Sequence, residues 1–591
     1  MMKRYIFMTI AALVASYSLG AQDLDPTVVV RRAYEGKLIE AHKPQLDMQV
    51  PDSVTRFDLD FDYSVFDKPY RGAYEFNPYV LTMQPASAVQ NPKQLYVKAG
   101  AGYTLHPVFD LVWSTPFKNA FRMDVYATHR SYVGSYRMFK PELPDDAPVV
   151  IDRWLQSGGE HGYTQVGYDL ETRAGLDGSY DWKSAVVDFD ASYYGIATKD
   201  DIKTRHYDAL DIKVGVASKS MEDSYFKYDA DIRYRYGADL MKYAGSDMRL
   251  DEHVFGVEAV LGQVMHKEEG THKVLFDVGM DIAAYGHPVY SAVAGEFHIV
   301  PHYVFRYGRR LLADIGVRLA KVMRSDSPEG IYGAKEQFVY PDVTVTYDAV
   351  PEYLGIYTHI GGGNRMNTYS SILEENHHFD LEYGRSFWPL MDFNVERLSA
   401  ALGFRGRLGK FTYDLYGGYA NYANALLDAV VIGQPFGNES PEYLPGIGYA
   451  SYQRAFACFD WCWNSESLKF DGTAQYAYIF DMNNSSGLFA PASFTGDVAF
   501  EYNWSRRIYA GIDCLFSTRR KGSVTDMLHD NAVHDAVIPG YADLGLYFEY
   551  ATNHILSLWA RGGNLLNMTV QRTPIYAERG VNFTVGVCLN L

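Results

Sequence analysis

The chain has 591 residues, a net charge of −18, 49 tyrosines and 15% aromatic side chains. After the N-terminus it contains no run of about 18 apolar residues, which excludes a bundle of transmembrane helices. The acidic balance disfavours nucleic-acid binding, which requires Lys and Arg to neutralise phosphates, and a hydrophobic content of 47% argues against disorder. No polar or Pro-rich linker divides the sequence, so we expect one repetitive body.

Residues 1–21 are typical of a secretory signal peptide. Basic residues precede an apolar stretch from Tyr5 to Leu19, and small residues follow at Gly20 and Ala21. An N-terminal anchor helix is the alternative, but the apolar stretch is shorter than the roughly 20 residues that span a bilayer. We therefore expect export from the cytoplasm.

The segment 22–92 precedes the first predicted strand. It mixes acidic residues with Tyr, Phe and Pro, as in the stretch 57–63, Phe-Asp-Leu-Asp-Phe-Asp-Tyr. We expect a periplasmic or lumenal segment that lines or partly fills the interior of the protein.

Residues 93–591 show repeated alternation between apolar and polar side chains. In the stretch 225–236, Ile232 and Tyr234 fall on one face, and Asp231 and Arg233 fall on the other. This period of two predicts half-apolar β-strands. A soluble β-sandwich would also alternate, but many runs exceed ten residues, whereas strands of globular proteins average about five to six. About 22 such runs predict an all-β membrane protein, an antiparallel transmembrane β-barrel.

The connections between the predicted strands alternate between short and long. This alternation is typical of outer-membrane barrels, which have short periplasmic turns and longer extracellular loops. The short connections lie near 115–120, 181–183, 267–272, 307–309, 348–352, 407–410, 503–506 and 552–553. The long ones lie near 136–162, 238–251, 323–336, 363–388, 425–444, 518–538 and 563–579.

The most metal-like cluster is the stretch 374–380, Glu-Glu-Asn-His-His-Phe-Asp, in a predicted long loop. Imidazoles and carboxylates are common metal ligands, but adjacent histidines diverge in an irregular loop, so a solvated acidic loop is the favoured interpretation. A disulfide between Cys458 and Cys462 is an alternative to free thiols. No nucleophile and base are spaced so that they must meet. We expect no catalytic residues, no metal and no cofactor, and hence no enzyme.

The last 50 residues contain the stretches 544–550, Leu-Gly-Leu-Tyr-Phe-Glu-Tyr, and 556–561, Leu-Ser-Leu-Trp-Ala-Arg, followed by Asn-Leu-Leu-Asn at 564–567. This region resembles the C-terminal strands of TonB-dependent receptors. The resemblance extends to the strand count, but the chain ends on Leu591 instead of an aromatic residue. The roughly 70 residues before the first strand are too few for the plug domain of that family. The chain therefore resembles the plugless, receptor-like barrels of Bacteroidetes.

The resemblance implies further features of the N-terminal segment. Asp25, Thr27, Val28, Val29 and Val30 look like a TonB box, which binds TonB by strand addition; a short apolar run in a periplasmic tail is the alternative. The triplet Asp-Ser-Val around Ser53 resembles the O-glycosylation site of Bacteroidetes proteins.

Three functional classes follow from this reading. The first is nutrient binding or transport in the outer membrane, linked to TonB or gated by a partner such as a lipoprotein. The second is a platform that binds other envelope proteins in an assembly complex, and the third and least favoured is a surface enzyme. The expected partners are the lipid bilayer and TonB or a gating protein. About 22 strands enclose a space that side chains alone cannot fill, and the segment 22–92 is the expected internal filler.

Overall fold

The computed structural model describes residues 94–103, 105–116, 120–139, 162–219, 225–243, 246–268, 270–286, 291–324, 337–380, 392–434, 441–483 and 487–591. The signal peptide, the segment 22–92, the TonB-box-like residues 25–30 and Ser53 lie outside these ranges and stay predictions.

The described residues form 24 strands and one helix, of which 22 strands build the barrel wall. The strands are β1 (Leu95–Tyr103), β2 (Val108–Ser114), β3 (Phe121–Phe139), β4 (Gly162–Asp181), β5 (Ala185–Lys199), β6 (Lys203–Ser218), β7 (Tyr225–Tyr243), β8 (Ser246–Lys267), β9 (Gly270–Gly286), β10 (Ser291–Tyr307), β11 (Leu311–Arg324), β12 (Gln337–Val350), β13 (Leu354–Met366), β14 (Phe393–Leu408), β15 (Phe411–Gly433), β16 (Glu442–Asn464), β17 (Leu468–Asn483), β18 (Phe494–Trp504), β19 (Ile508–Ser517), β20 (Arg520–Asp526), β21 (Ala532–Ile538), β22 (Tyr541–Ala551), β23 (Leu556–Gly563) and β24 (Asn582–Asn590). The helix α1 (Tyr369–Glu375) lies between β13 and β14.

The barrel wall is antiparallel and closed. Each strand from β1 to β18 pairs with the next, β19 pairs with β22, β22 with β23 and β23 with β24. β24 returns to pair with β1 from Tyr96↔Asn590 to Tyr103↔Phe583. The hairpin of β20 and β21 lies outside this cycle. Closure leaves the wall without an unpaired edge, which is the condition for a sheet to cross a bilayer. The predicted fold and strand count are confirmed.

The two faces of the wall are those that the alternation predicts. On β7, Ile232 is 54% exposed and Tyr234 40% exposed on the outer face. On the inner face, Arg233 lies 2.8 Å from the carboxylate of Asp211 on β6. An apolar outside and a charged inside are typical of a membrane barrel with a polar lumen.

The two ends of the barrel differ as the connection lengths predict. The chain enters β1 and leaves β24 at the end that carries the short turns, and the long connections lie at the opposite end, which we call the loop end. Two of the predicted loops, 238–251 and 425–444, are largely strand: β7 and β8 extend to Tyr243 and from Ser246, and β15 and β16 extend to Gly433 and from Glu442. Strand pairing continues there because the inner face of these extensions packs against other segments.

The wall is taller on one side than on the other. β8 has 22 residues and β15 and β16 have 23 each, whereas β2 has 7, β23 has 8 and β24 has 9. Because about 9 to 11 tilted residues cross a bilayer, the longer strands extend past the membrane at the loop end. They form a deep mouth on that side of the barrel.

Within the described ranges, no helix has the length and apolar character needed to cross a membrane.

All four cysteines are free thiols, so the alternative of a disulfide between Cys458 and Cys462 is wrong. These two residues share the inner face of β16, four positions apart in an extended strand, which separates their sulfurs well beyond bonding distance.

Candidate functional site: an inward-folded segment at the mouth

Residues 367–380, which we call the cap segment, contain the helix α1. Thr368 begins the helix with a capping box, because its hydroxyl accepts from the Ser371 N–H and the Ser371 hydroxyl accepts from the Thr368 N–H. The carboxylate of Glu252 on β8 accepts from the Ser370 N–H at 3.2 Å. A helix of seven residues is too short to be stable alone, so its contacts with the barrel wall must hold it.

The apolar face of the cap segment is buried against the inner wall of the barrel. Tyr369, Ile372, Leu373 and Phe379 are each at most 2% exposed. They form one cluster with Ile447 of β16 and with inward-facing side chains of β5 to β10: Tyr194, Ile196, Tyr207, Ala209, Met241, Tyr243, Leu250, Val254, Ala283, Tyr285 and Ala292. Burial of each large side chain contributes about 1.5 to 3 kcal/mol. The interpretation of 374–380 as part of a solvated loop is therefore wrong for residues 376–380, whereas Glu374 and Glu375 are exposed.

Lys203, the first residue of β6, binds the end of the cap segment. Its ammonium donates to the carbonyls of His378 and Phe379 at 3.0 and 3.2 Å and to the carboxylate of Asp380 at 2.6 Å. The Tyr243 hydroxyl donates to the same carboxylate at 3.0 Å. Burial alone would raise the pKa of Asp380, but the Lys203 ammonium outweighs it and the pKa of Asp380 is lowered. Asp380 is therefore charged at neutral pH.

Arg205, two residues further along β6, binds the preceding part of the cap segment. Its guanidinium donates to the carbonyl of His377 at 2.7 Å and to the hydroxyl of Tyr369 at 3.2 Å. It also donates to the carboxylate of Asp239 on β7 at 3.0 Å, and Tyr369 donates to that carboxylate as well. The side chains of Arg205 and Asp239 are fully buried. Burial raises the pKa of Tyr369 well above its ordinary value, so the phenol stays protonated.

The two adjacent histidines of the cap segment point to different partners. His377 Nδ1 lies 2.9 Å from the Asp169 carboxylate on β4. Burial alone would lower the pKa of His377, but this carboxylate raises it. The ring of His378 instead stacks on Tyr576 at 3.9 Å between centroids, and burial lowers the pKa of His378 to about 4. Among the residues that the structure describes, no group of three His, Cys, Asp or Glu side chains is placed to hold a metal.

Other connections at the loop end meet the cap segment. The residues 564–581, which we call the final loop, contribute Tyr576, whose hydroxyl donates to the Asp200 carboxylate between β5 and β6 at 3.1 Å. The hairpin β20–β21 pairs in parallel with the tip of β15 at Val431↔Thr525. One buried cluster joins these parts: Val430, Ile432, Tyr443, Phe489, Val524, Ala536, Ile538, Ile575, Tyr576 and Ala577. The loops at the mouth are therefore interlocked.

The inner wall below the cap segment is strongly charged. Arg233 and Arg235 both contact the Asp211 carboxylate. His302 lies between two carboxylates, 3.1 Å from Asp277 and 2.9 Å from Asp314. Such a wall suits an aqueous, polar lumen.

Sequence reasoning missed Lys203, Arg205 and Asp239 as site residues. The alternation in β6 places Lys203 and Arg205 on the inner face, but it gives no sign that residues 377–380 contact them. Two basic residues on one inner face at the loop end of a strand are the only signal that the sequence offers. The stretch 374–380, which the sequence does single out, is part of the site, but in a role other than metal binding.

Comparisons with known proteins support the fold. No family model matches this sequence, and no curated protein is similar to it in sequence. The ferric enterobactin receptor PfeA of Pseudomonas aeruginosa superposes with a TM-score of 0.57 at 10% identity, over 84% of this chain and 80% of that chain. The copper transporter OprC gives 0.57 at 11% identity, over 84% and 80%. The ferric-catecholate import receptor Fiu of Escherichia coli K12 gives 0.57 at 8% identity, over 85% and 82%. At these identities the similarity is one of fold, and the chain has the barrel of such receptors.

Proposed function

We propose that the protein is an outer-membrane receptor that binds a nutrient at the cell surface and admits it to the barrel lumen. The observation that carries this proposal is the cap segment, a helix-bearing connection that folds into the mouth of a 22-strand barrel. The fold shared with iron and copper receptors supports the same function. The apolar outer wall supports a location in the outer membrane.

The proposal also includes what drives the opening of the mouth for transport. Either residues 25–30 pair with TonB as an added strand, or a partner protein at the cell surface opens the mouth. Strand addition requires backbone N–H groups, so Val29→Pro should abolish binding of the purified TonB C-terminal domain to the full chain, and Val29→Thr should preserve it. Absence of TonB binding in the wild type and in both variants would favour the partner, whereas equal binding by all three would place the TonB contact outside residues 25–30.

A platform in an assembly complex is the alternative function. The interlocking of the final loop, the hairpin β20–β21 and the tip of β15 favours it, because such a cluster gives a fixed outer surface. In that case the mouth has no need to open, and the barrel does not conduct solutes.

Antibiotic sensitivity of whole cells distinguishes the two functions. Leu373→Asp places a carboxylate in the apolar cluster and should expel the cap segment. The matched control is Leu528→Asp, because Leu528 is 38% exposed beyond β20. A receptor with an opened mouth should sensitise cells to vancomycin, which intact outer membranes exclude, in the Leu373 variant alone. Unchanged resistance of cells that hold normal amounts of this variant, also when residues 30–85 are removed from it, would favour the platform.

A further inference from the structure

We propose that Lys203, Arg205 and Tyr243 form a binding site for an acidic peptide, which the chain's own residues 377–380 occupy in the structure. We call these three residues the wall pocket. The inference rests on the proposed receptor function and deepens it, because it names the chemical class of the ligand.

The contacts in the wall pocket are those of a receptor with a peptide. Arg205 donates to the carbonyl of His377, and Lys203 donates to the carbonyls of the next two residues and to the carboxylate of Asp380. Three consecutive backbone carbonyls and one side-chain carboxylate are thus held by two side chains of one strand. A small carboxylic acid would satisfy only the last of these contacts. The spacing of the donors therefore specifies a peptide that bears a carboxylate and forms a turn, like that of residues 376–379, in which the Phe379 N–H donates to the carbonyl of Asn376 at 3.1 Å.

The pocket also has places for the side chains before the carboxylate. The ring of Tyr576 stacks on His378 with an angle of 9° between the planes, and the final loop holds Tyr576 independently of the cap segment through Asp200. Phe379 is fully buried in the apolar cluster that the inner wall and helix α1 form together, with its ring 6.2 Å from that of Tyr369. A planar side chain, an aromatic side chain and an acidic side chain, in this order, fit the pocket.

The charged groups of Lys203 and Arg205 are buried. This burial argues that a ligand can replace residues 377–380 in the wall pocket. An ion pair in a protein interior gains little net stability, because both charges lose hydration when they meet. Apolar contacts of the kind made by Leu373 would close the mouth without that penalty. When the cap segment leaves, the ammonium of Lys203 becomes accessible. Water can then hydrate it, or the carboxylate of a ligand can pair with it. A ligand of the same chemistry can therefore compete with the chain's own segment.

The test uses the full chain in detergent and two labelled peptides. The first has the sequence of residues 376–380, acetyl-Asn-His-His-Phe-Asp-amide, and the second ends in Asn instead of Asp. The variant Asp380→Asn weakens self-occupancy, and fluorescence anisotropy should show that it binds the acidic peptide at least about tenfold more tightly than the wild type does. It should also prefer the acidic peptide to the Asn peptide by about tenfold.

Two further variants test the pocket itself. Adding Lys203→Gln to Asp380→Asn should remove the preference for the acidic peptide. Adding Lys213→Gln, on the same strand with a half-exposed side chain, should leave the preference intact. Equal binding of both peptides, no binding, or a preference that survives Lys203→Gln would overturn the proposal and make the cap segment a fixed latch.

The result of the peptide-binding test can be distinguished from the result of the test of the receptor function. Peptide binding in detergent needs neither an energy source nor an open lumen. Selective binding by a barrel that never admits solute would retain the site and refute transport. A barrel that conducts solutes but binds neither peptide would refute the peptide site and retain the transport function.

Discussion

Lys203 and Asp380 lie 177 positions apart in the chain, and their side chains meet at 2.6 Å with at most 2% of either exposed. One residue begins a wall strand, and the other ends the cap segment. The pair therefore reports whether the cap segment is docked. Because removal of one partner leaves the other buried and uncompensated, each single substitution should be costly.

The first prediction concerns this pair. Lys203→Met should weaken docking by about 3 to 5 kcal/mol, because Asp380 loses its cation. Adding Asp380→Leu should restore part of the loss, since two apolar side chains need no partner. Hydrogen exchange of the Ile372 and Asn376 amides, which bond within the cap segment, measures the docking free energy. Equal exchange in the wild type and both variants would show that the pair does not hold the cap segment.

The second prediction concerns acid. Docking keeps His378 neutral, and its pKa falls from an ordinary value of 6.5 to about 4. The stability of docking is therefore fully present above pH 6.5 and declines as the pH falls from 6.5 towards 4. Asp169, Asp200, Lys203 and His377 surround the ring. His378→Phe keeps the stack on Tyr576 and should remove this loss between pH 7 and 5.

The contribution of His377 to the pH dependence of docking has the opposite sign to that of His378, so His377 provides an internal control. Its pKa is raised, so the stability that Asp169 confers is present at low pH and declines as the pH rises through the raised value. His377→Gln should therefore make docking more sensitive to acid, because the compensating contribution is lost. Identical pH profiles of amide exchange in the two histidine variants would contradict these assignments.

The third prediction concerns the two faces of β7. Ile232→Arg should cost about 2 to 4 kcal/mol if the side chain lies near the bilayer midplane. Asp231→Asn, on the lumenal face, should cost little. Urea unfolding of the two variants in lipid vesicles measures both changes. Similar losses would show that the faces have been assigned wrongly.

The fourth prediction concerns orientation. A tag inserted after Asp530, in the tip between β20 and β21, should be reached by antibody on intact cells. A tag after Ser505, in the short turn between β18 and β19, should be reached only after the outer membrane is permeabilised. The reverse pattern would place the loop end in the periplasm.

Much of the barrel could be predicted from the sequence, because its causes are local. The alternation at Asp231, Ile232 and Tyr234 follows from a wall with lipid on one side and water on the other. The docking of the cap segment could not be predicted, because it depends on the contact of Lys203 with Asp380, which lie 177 positions apart in the chain. Gly245, Ser246 and the three Asp residues within 238–251 suggest a loop, but the burial of Met241 and Leu250 against the cap segment sustains a strand there.

The proposed receptor function requires that the cap segment closes the mouth from the loop end until a ligand binds. The segment 22–92 is the other candidate for the closing element, and a barrel without residues 30–85 separates the two. Planar-bilayer conductance in KCl should remain near zero for this truncated chain. Adding Leu373→Asp should produce large steps, whereas adding the control Leu528→Asp should not. A truncated chain that conducts fully while its cap segment is intact would contradict this requirement.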